Sequence, residues 1–285
     1  MASGSVATRI AAATGSGVVE ATEITGGDIC RAWRARLADG RTVFAKSRDD
    51  APDGFFTAEA AGLEWLAEVD AVPLPEVVAV GADVLVLTWI DSGTPSASAA
   101  DRLGRGLADL HQAGAASFGA GWPGFVGTLP VDNTPSGSWP DFYAERRLTP
   151  CLTLARDSGA LDADGAALIE RVIARLPDLA GPPEPPARIH GDLWGGNLLW
   201  AADGRAWLVD PAAYGGHRET DLAMLALFGA PDLDRVLAAY DETAPLAAGW
   251  RDRVGLHQLH PLLVHSVLFG GGYAARAIAT ARRYL

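Results

Sequence analysis

The chain has two cysteines in 285 residues, Cys30 and Cys151. No disulfide framework can be built from them, and a reducing cytoplasm is the expected setting. Cys30 reads as a small apolar filler. No run of about 18 apolar residues occurs, which argues against a membrane span. Residues 1–13 hold one arginine and no compact apolar stretch, so they do not read as a signal peptide. Positive charge is also scarce. Lys plus Arg number 23 against 35 Asp plus Glu, a net charge of −12. Such a surface repels phosphate backbones, so nucleic acid is excluded as the first choice of partner. No internal repeat of fixed period is present. What remains is an ordinary globular composition, 49% hydrophobic and 20% charged, which argues against wholesale disorder.

Residues 18–24 alternate with β-branched side chains, a strand pattern. Gly26-Gly27 interrupts it, residues 30–37 resume it, Asp39-Gly40 signals a hairpin turn, and residues 42–46 return. This predicts an antiparallel meander, preceded by a short helix over 6–13. Phe56, Ala60, Leu63, Leu66 and Ala67 fall at helical spacing within 55–68, and Pro73 and Pro75 end that helix. Residues 77–80 and 84–90 read as two more strands. Beyond Asp91-Ser92-Gly93 strand character nearly stops. Residues 102–112, 139–156 and 165–176 read as helices, 181–186 as a stiff proline-rich linker, and 221–285 as mostly helical. A β-rich first third with one main helix, followed by helices, predicts an α+β plan of two lobes, 1–90 and 91–285.

The most informative stretch is His190-Gly191-Asp192-Leu193-Trp194-Gly195-Gly196-Asn197. Asp210 follows Asn197 by thirteen residues, after the apolar run Trp207-Leu208-Val209. Upstream, Lys46 ends an apolar strand and Glu59 sits on the next helix. These types at these separations suit phosphoryl transfer from ATP. A lysine on a strand neutralises phosphate oxygens, and a glutamate on the adjacent helix anchors its ammonium. Magnesium is a hard cation that takes oxygen ligands, which Asp210 and Asn197 offer. A substrate hydroxyl must lose a proton as it attacks, and Asp192, five residues before Asn197, is placed to take it.

The octet resembles the catalytic loop of the protein-kinase-like superfamily in the form used by small-molecule kinases. With Trp194 and the Gly195-Gly196 pair it looks like the signature of the fructosamine kinase / ketosamine 3-kinase family, related to aminoglycoside phosphotransferases. Thr25-Gly-Gly-Asp-Ile-Cys30 is similar to that family's phosphate loop, Val43-Phe-Ala-Lys-Ser47 to its lysine strand and Glu59-Ala-Ala-Gly-Leu63 to its glutamate helix. Asp141–Arg147, Asp210-Pro211-Ala212, Tyr214–His217, Glu219–Ala223 and Phe269–Tyr273 also fit. The resemblance runs from about residue 20 to the C-terminus.

It implies a two-lobe protein-kinase-like fold and an ATP- and Mg²⁺-dependent enzyme. Such an enzyme phosphorylates the 3-hydroxyl of a ketosamine, free or as glycated lysine on a protein, and the product then decomposes to free the amine. Asp192 is the implied base, and Asn197 and Asp210 the magnesium ligands. Lys46 and Glu59 form the phosphate pair, with Gly26 and Gly27 in the phosphate loop. Thr88, Trp89 and Ile90 are the implied adenine contacts, Thr88 standing where the family often has Glu. Trp194 and His217 fall near the acceptor, and His190 and Asp221 support the catalytic loop. Another small-molecule kinase, such as one for aminoglycosides or choline, is the alternative acceptor class. A non-catalytic nucleotide-binding module is the alternative of a different kind. No membrane partner is expected, and a monomer is the default. His257, His260 and His265 sit at i, i+3 and i+8 with Pro261 among them, a poor metal spacing that reads as helical packing.

Overall fold

A computed structural model describes residues 5–25 and 29–285. Gly26 and Gly27 therefore lie outside the described residues. The chain opens with α1 (Val6–Thr14), β1 (Val18–Ile24), β2 (Arg31–Leu37), β3 (Thr42–Ser47), α2 (Phe55–Ala67), β4 (Val77–Val80) and β5 (Val84–Thr88). The strands form one antiparallel sheet in the order β1-β2-β3-β5-β4. Alternation of side chains gives each strand two faces. Val84 and Val86 pack with Val43, Ala45 and the fully buried Ile10 of α1. Leu85 and Leu87 point the other way, into the core with Phe56, Leu63 and Leu66 of α2. Buried on both faces, β5 has no polar position to spare, which is why it reads as a continuous apolar run. The same alternation in β3 turns Lys46 away from α1 and toward α2, where Glu59 stands.

The remainder is mainly helical: α3 (Ala97–Gln112), a hairpin of β6 (Gly124–Val126) and β7 (Leu129–Val131), α4 (Trp139–Tyr143), α5 (Thr149–Asp157), α6 (Ala163–Ala174) and α7 (Leu176–Leu179). Short strands β8 (Ala187–Ile189), β9 (Leu198–Trp200), β10 (Ala206–Leu208) and β11 (Tyr214–Gly216) follow, paired β8 with β11 and β9 with β10. Helices α8 (Glu219–Phe228), α9 (Leu233–Thr243), α10 (Trp250–Phe269) and α11 (Tyr273–Arg282) complete the chain. No helix among the described residues is long and apolar enough to cross a membrane.

Three departures from the sequence expectations have local causes. The helix expected over 102–112 begins five residues earlier, where the Ser96 hydroxyl accepts the Ala99 N–H as an N-cap. The single helix expected over 139–156 contains a wider π-helical turn at Ala144–Leu148, just before Pro150, which has no N–H to give and whose ring crowds the preceding turn. The β6–β7 hairpin was not anticipated, since strands of three residues are too short to show a period. Pro261 likewise cannot serve the His257 carbonyl inside α10. The Tyr143 hydroxyl, fully buried, lies 3.1 Å from that carbonyl and 2.8 Å from that of Leu256.

Candidate active site

A cavity of about 790 Å³ opens between the sheet and the helices. Its walls bring together Lys46, Glu59, Thr88, Trp89, Ile90, Asp192, Trp194, Asn197 and Asp210, residues up to 164 positions apart in sequence. Thr25 and Ile29, on either side of the undescribed glycines, line it too.

Lys46 is the sole lysine of the chain. It is 8% exposed and bridges two carboxylates, with Glu59 Oε1 at 2.8 Å and Asp210 Oδ1 in direct contact. Burial alone would lower its pKa, but the Asp210 and Glu59 charges outweigh that and hold the ammonium above the usual lysine value. Burial raises the Glu59 carboxyl, against the pull of Lys46. Asp210 adopts a positive φ of 57°, an uncommon conformation for a non-glycine residue and one that gathers at functional sites. It holds the carboxylate in the cavity at the end of the segment that follows β10.

The loop from 190 to 197 is fixed from below. Asp221, fully buried, accepts the His190 N–H at 2.7 Å and the Gly191 N–H at 2.9 Å. His190 donates from Nε2 to the Val209 carbonyl (2.9 Å), so its Nδ1 is the acceptor for the Asp192 N–H (3.3 Å). That tie links the loop to the residue before Asp210. Asn197 donates its amide N–H groups to the Asp192 carbonyl (2.8 Å) and the Asp192 carboxylate (3.1 Å). Its amide oxygen is thereby left to face another group. Burial and the nearby Asp210 charge push the Asp192 carboxyl up to about 7.

Each glycine of the pair makes room for a different neighbour. A Cβ on Gly196 would stand 2.2 Å from Trp194 Cη2, and one on Gly195 2.5 Å from the Gly229 carbonyl. The indole therefore lies flat over residue 196, with its edge toward Phe228 of α8 (centroids 5.9 Å).

His217 is not part of this cavity. It is 3% exposed and packs between Trp139 and His257, each with ring centroids 4.9 Å away, and its Nδ1 accepts the Glu219 N–H. Strand β11 pairs with β8 and aims this side chain into the helical core. Its neighbour Glu219 is bound by Arg253 through both oxygens, at 2.5 and 2.9 Å, which makes this corner a buried charge network. Sequence reasoning missed Phe228 and His265, which line the cavity beside Trp194, as do Phe269 and Tyr273. The helical period of α10 was visible, but not which of its histidines faced the cavity.

The donors present suit a magnesium ion: a half-exposed carboxylate on Asp210 and the amide oxygen of Asn197, both hard oxygen ligands. A strand-borne lysine, a helix glutamate, a loop aspartate and asparagine, and a second aspartate around one cleft define a protein-kinase-like phosphotransferase. The sequence profile described as fructosamine kinase matches residues 2–285, and the chain belongs to that family. It is similar to a solved structure from Thermobifida fusca assigned as a candidate fructosamine-3-kinase, with 52% identity, 98% of each chain covered and a TM-score of 0.93. It is 36% identical to a probable ketoamine kinase of Synechocystis sp. over 267 residues, 91% of this chain and 88% of the relative. It is 32% identical to the chloroplastic protein-ribulosamine 3-kinase of Arabidopsis thaliana over 283 residues, 93% and 84% of the two.

Proposed function

We propose that this chain transfers the γ-phosphoryl group of ATP to the 3-hydroxyl of a ketosamine, a ketose joined to an amine such as that of lysine. The observation that carries the reading is the convergence of Lys46, Glu59, Asp192, Asn197 and Asp210 on one cavity. The names of its relatives, ketoamine kinase and protein-ribulosamine 3-kinase, support the acceptor class. Residues 1–90 serve as the nucleotide lobe and 91–285 as the catalytic and acceptor lobe. A monomer suffices, because one chain supplies every group. A cytoplasmic setting accords with two unbridged thiols.

The geometry supports the following roles. Nucleotide phosphates take the place of Asp210 on Lys46, while Glu59 keeps the ammonium in position. Thr88, Trp89 and Ile90 border the adenine end, with the Thr88 hydroxyl already engaged by the Glu76 N–H (3.0 Å). Asn197 and Asp210 would hold Mg²⁺, which would supply neutralising charge to the transferring group. The acceptor oxygen attacks the γ-phosphorus, the bond to the β–γ bridging oxygen breaks, ADP leaves, and the acceptor proton passes to Asp192. Its carboxylate, held by the Asn197 amide at 3.1 Å in the cavity, is placed to accept that proton. Catalysis rests mainly on positioning and charge neutralisation. The phosphorylated adduct then decomposes and frees the amine, which makes the activity a deglycation.

The test is ATP consumption with Mg²⁺ against ribulosyl-lysine, erythrulosyl-lysine, fructosyl-lysine, kanamycin and choline. Turnover of a ketosamine is expected, falling by roughly 10²–10⁴-fold in Asp192→Ala while ATP still binds. Turnover of kanamycin or choline, with none of the three ketosamines accepted, refutes the reading.

A further inference from the structure

The acceptor end of the cavity has a composition unlike the rest. Trp194 and Phe269, 39% and 51% exposed, are the most exposed aromatic side chains among the described residues, and both stand on its rim. Between them lies His265. Its ring contacts Phe228 at 4.7 Å, Tyr273 at 5.0 Å and Phe269 at 5.3 Å between centroids. His265 Nδ1 lies 2.7 Å from the Pro261 carbonyl, which can only accept, so Nδ1 carries the proton. In the neutral ring Nε2 is then a bare lone pair, and no donor among the described residues meets it. Burial lowers the imidazole pKa and Arg276 lowers it further, against the pull of the Pro261 carbonyl, so the neutral ring is the favoured form near pH 7. A lone pair surrounded by aromatic faces is the complement of a cation that carries an N–H. An ether or hydroxyl oxygen has no charge for the rings to attract.

We propose that His265 Nε2, flanked by Phe228, Phe269 and Tyr273 with Trp194 on the far side of Phe228, binds the protonated secondary amine of the acceptor and so selects amine-linked ketoses. This rests on the ketosamine reading and adds the element that separates a ketosamine from a ketose ether or a free ketose. The cage has no carboxylate of its own, so its preference comes from ring faces and one acceptor.

The experiment pairs two acceptors built on whichever ketose is turned over fastest. One is the 1-alkylamino-1-deoxyketose, the other its 1-O-alkyl isostere with ether oxygen in place of the amine. Kinetics are measured for the wild type, His265→Leu and Phe269→Leu. The wild type is expected to favour the amine by about 10²-fold in kcat/KM, the scale of a charge-assisted hydrogen bond together with ring contacts. In His265→Leu the preference should shrink to about tenfold or less, with the ether changed by less than about threefold. Phe269→Leu, at an exposed position that does not threaten folding, should lose about threefold on the amine alone. Equal losses on both acceptors, or a wild type indifferent to amine and ether, overturn the proposal while leaving the ketosamine reading intact. Turnover of neither acceptor overturns both.

Discussion

His111 and Asp221 are joined in the interior by a 3.2 Å contact between Nε2 and Oδ2, with neither side chain exposed. The carboxylate only accepts, so Nε2 bears the proton and Nδ1 takes the Tyr240 hydroxyl at 2.8 Å. Asp221 thus stands between a helical support and the two N–H groups that open the catalytic loop. Asp221→Asn would set an amide N–H against one of those donors. About 3 kcal/mol of stability should be lost, the scale for breaking a buried charged contact. Turnover should fall by about 10–100-fold at saturating ATP. Urea unfolding and steady-state kinetics read the two effects. Full kcat in a folded variant would free the loop from this brace.

On the proposed function Lys46 and Glu59 act on the nucleotide and not on the acceptor. Lys46→Met should remove nearly all turnover, and Lys46→Arg should not restore it, because a forked guanidinium cannot replace a point charge between two carboxylates. Glu59→Gln should raise KM for ATP by about tenfold and leave KM for the acceptor alone. An acceptor effect as large as the ATP effect would contradict the assignment.

Gly196→Ala tests whether the indole matters. The new methyl group cannot coexist with the present position of Trp194. KM for the acceptor should rise by about tenfold, with nucleotide affinity measured by fluorescent ADP unchanged. Unaltered acceptor KM would reduce Trp194 to packing.

Acid should unfold this protein early. Burial, joined by the charges of neighbouring His and Arg side chains, holds His217 and His260 down to about 3, against an ordinary value of 6.5. The unfolded chain binds these protons first, so stability falls as pH drops from 6.5 toward 3. Burial would raise Glu219, but His257 and Arg253 outweigh it and pull the carboxyl to about 2. Its contribution is intact above pH 4.5 and is lost as pH falls toward 2. From pH 7 to 5 the two histidines together should remove about 4 kcal/mol, a large share of ordinary stability. Urea midpoints at pH 7 and 5 measure this, and His260→Asn should lessen the loss by about half. Equal stability at both values would mean the imidazoles are not held neutral.

The sheet lobe was legible because its strands are long enough to show a period and its turns carry Asp39-Gly40 and other clear signals. Lys46 at a strand end and Glu59 on the next helix were picked out together with Asp192, Asn197 and Asp210 as one phosphoryl-transfer set, and the alternation of β3 is what turns the lysine toward that glutamate. The loop from His190 to Asn197 stood out as chemistry because an aspartate and an asparagine five residues apart in a glycine-rich stretch suit the proposed base and metal ligand, and the structure brings the two side chains together. What could not be read was direction. His217 was expected near the acceptor and His265 as helical packing, and only the pairing of β11 with β8 turns the first inward while α10 turns the second to the cavity. The Gly195-Gly196 pair looked like a mark of identity; its physical reasons, room for the Gly229 carbonyl at the first and for an indole at the second, needed the third dimension.

Lys46 is the chain's sole lysine, and every other residue among its 23 Lys and Arg is an arginine. Reducing sugars attach to proteins by forming a Schiff base with a neutral amine, which a guanidinium does not provide. The one ε-amine is covered, paired with two carboxylates and held protonated. On the proposed function, an enzyme that removes sugars from lysine offers them no lysine on its own surface. No side chain of its own competes with its substrates in a glycating medium.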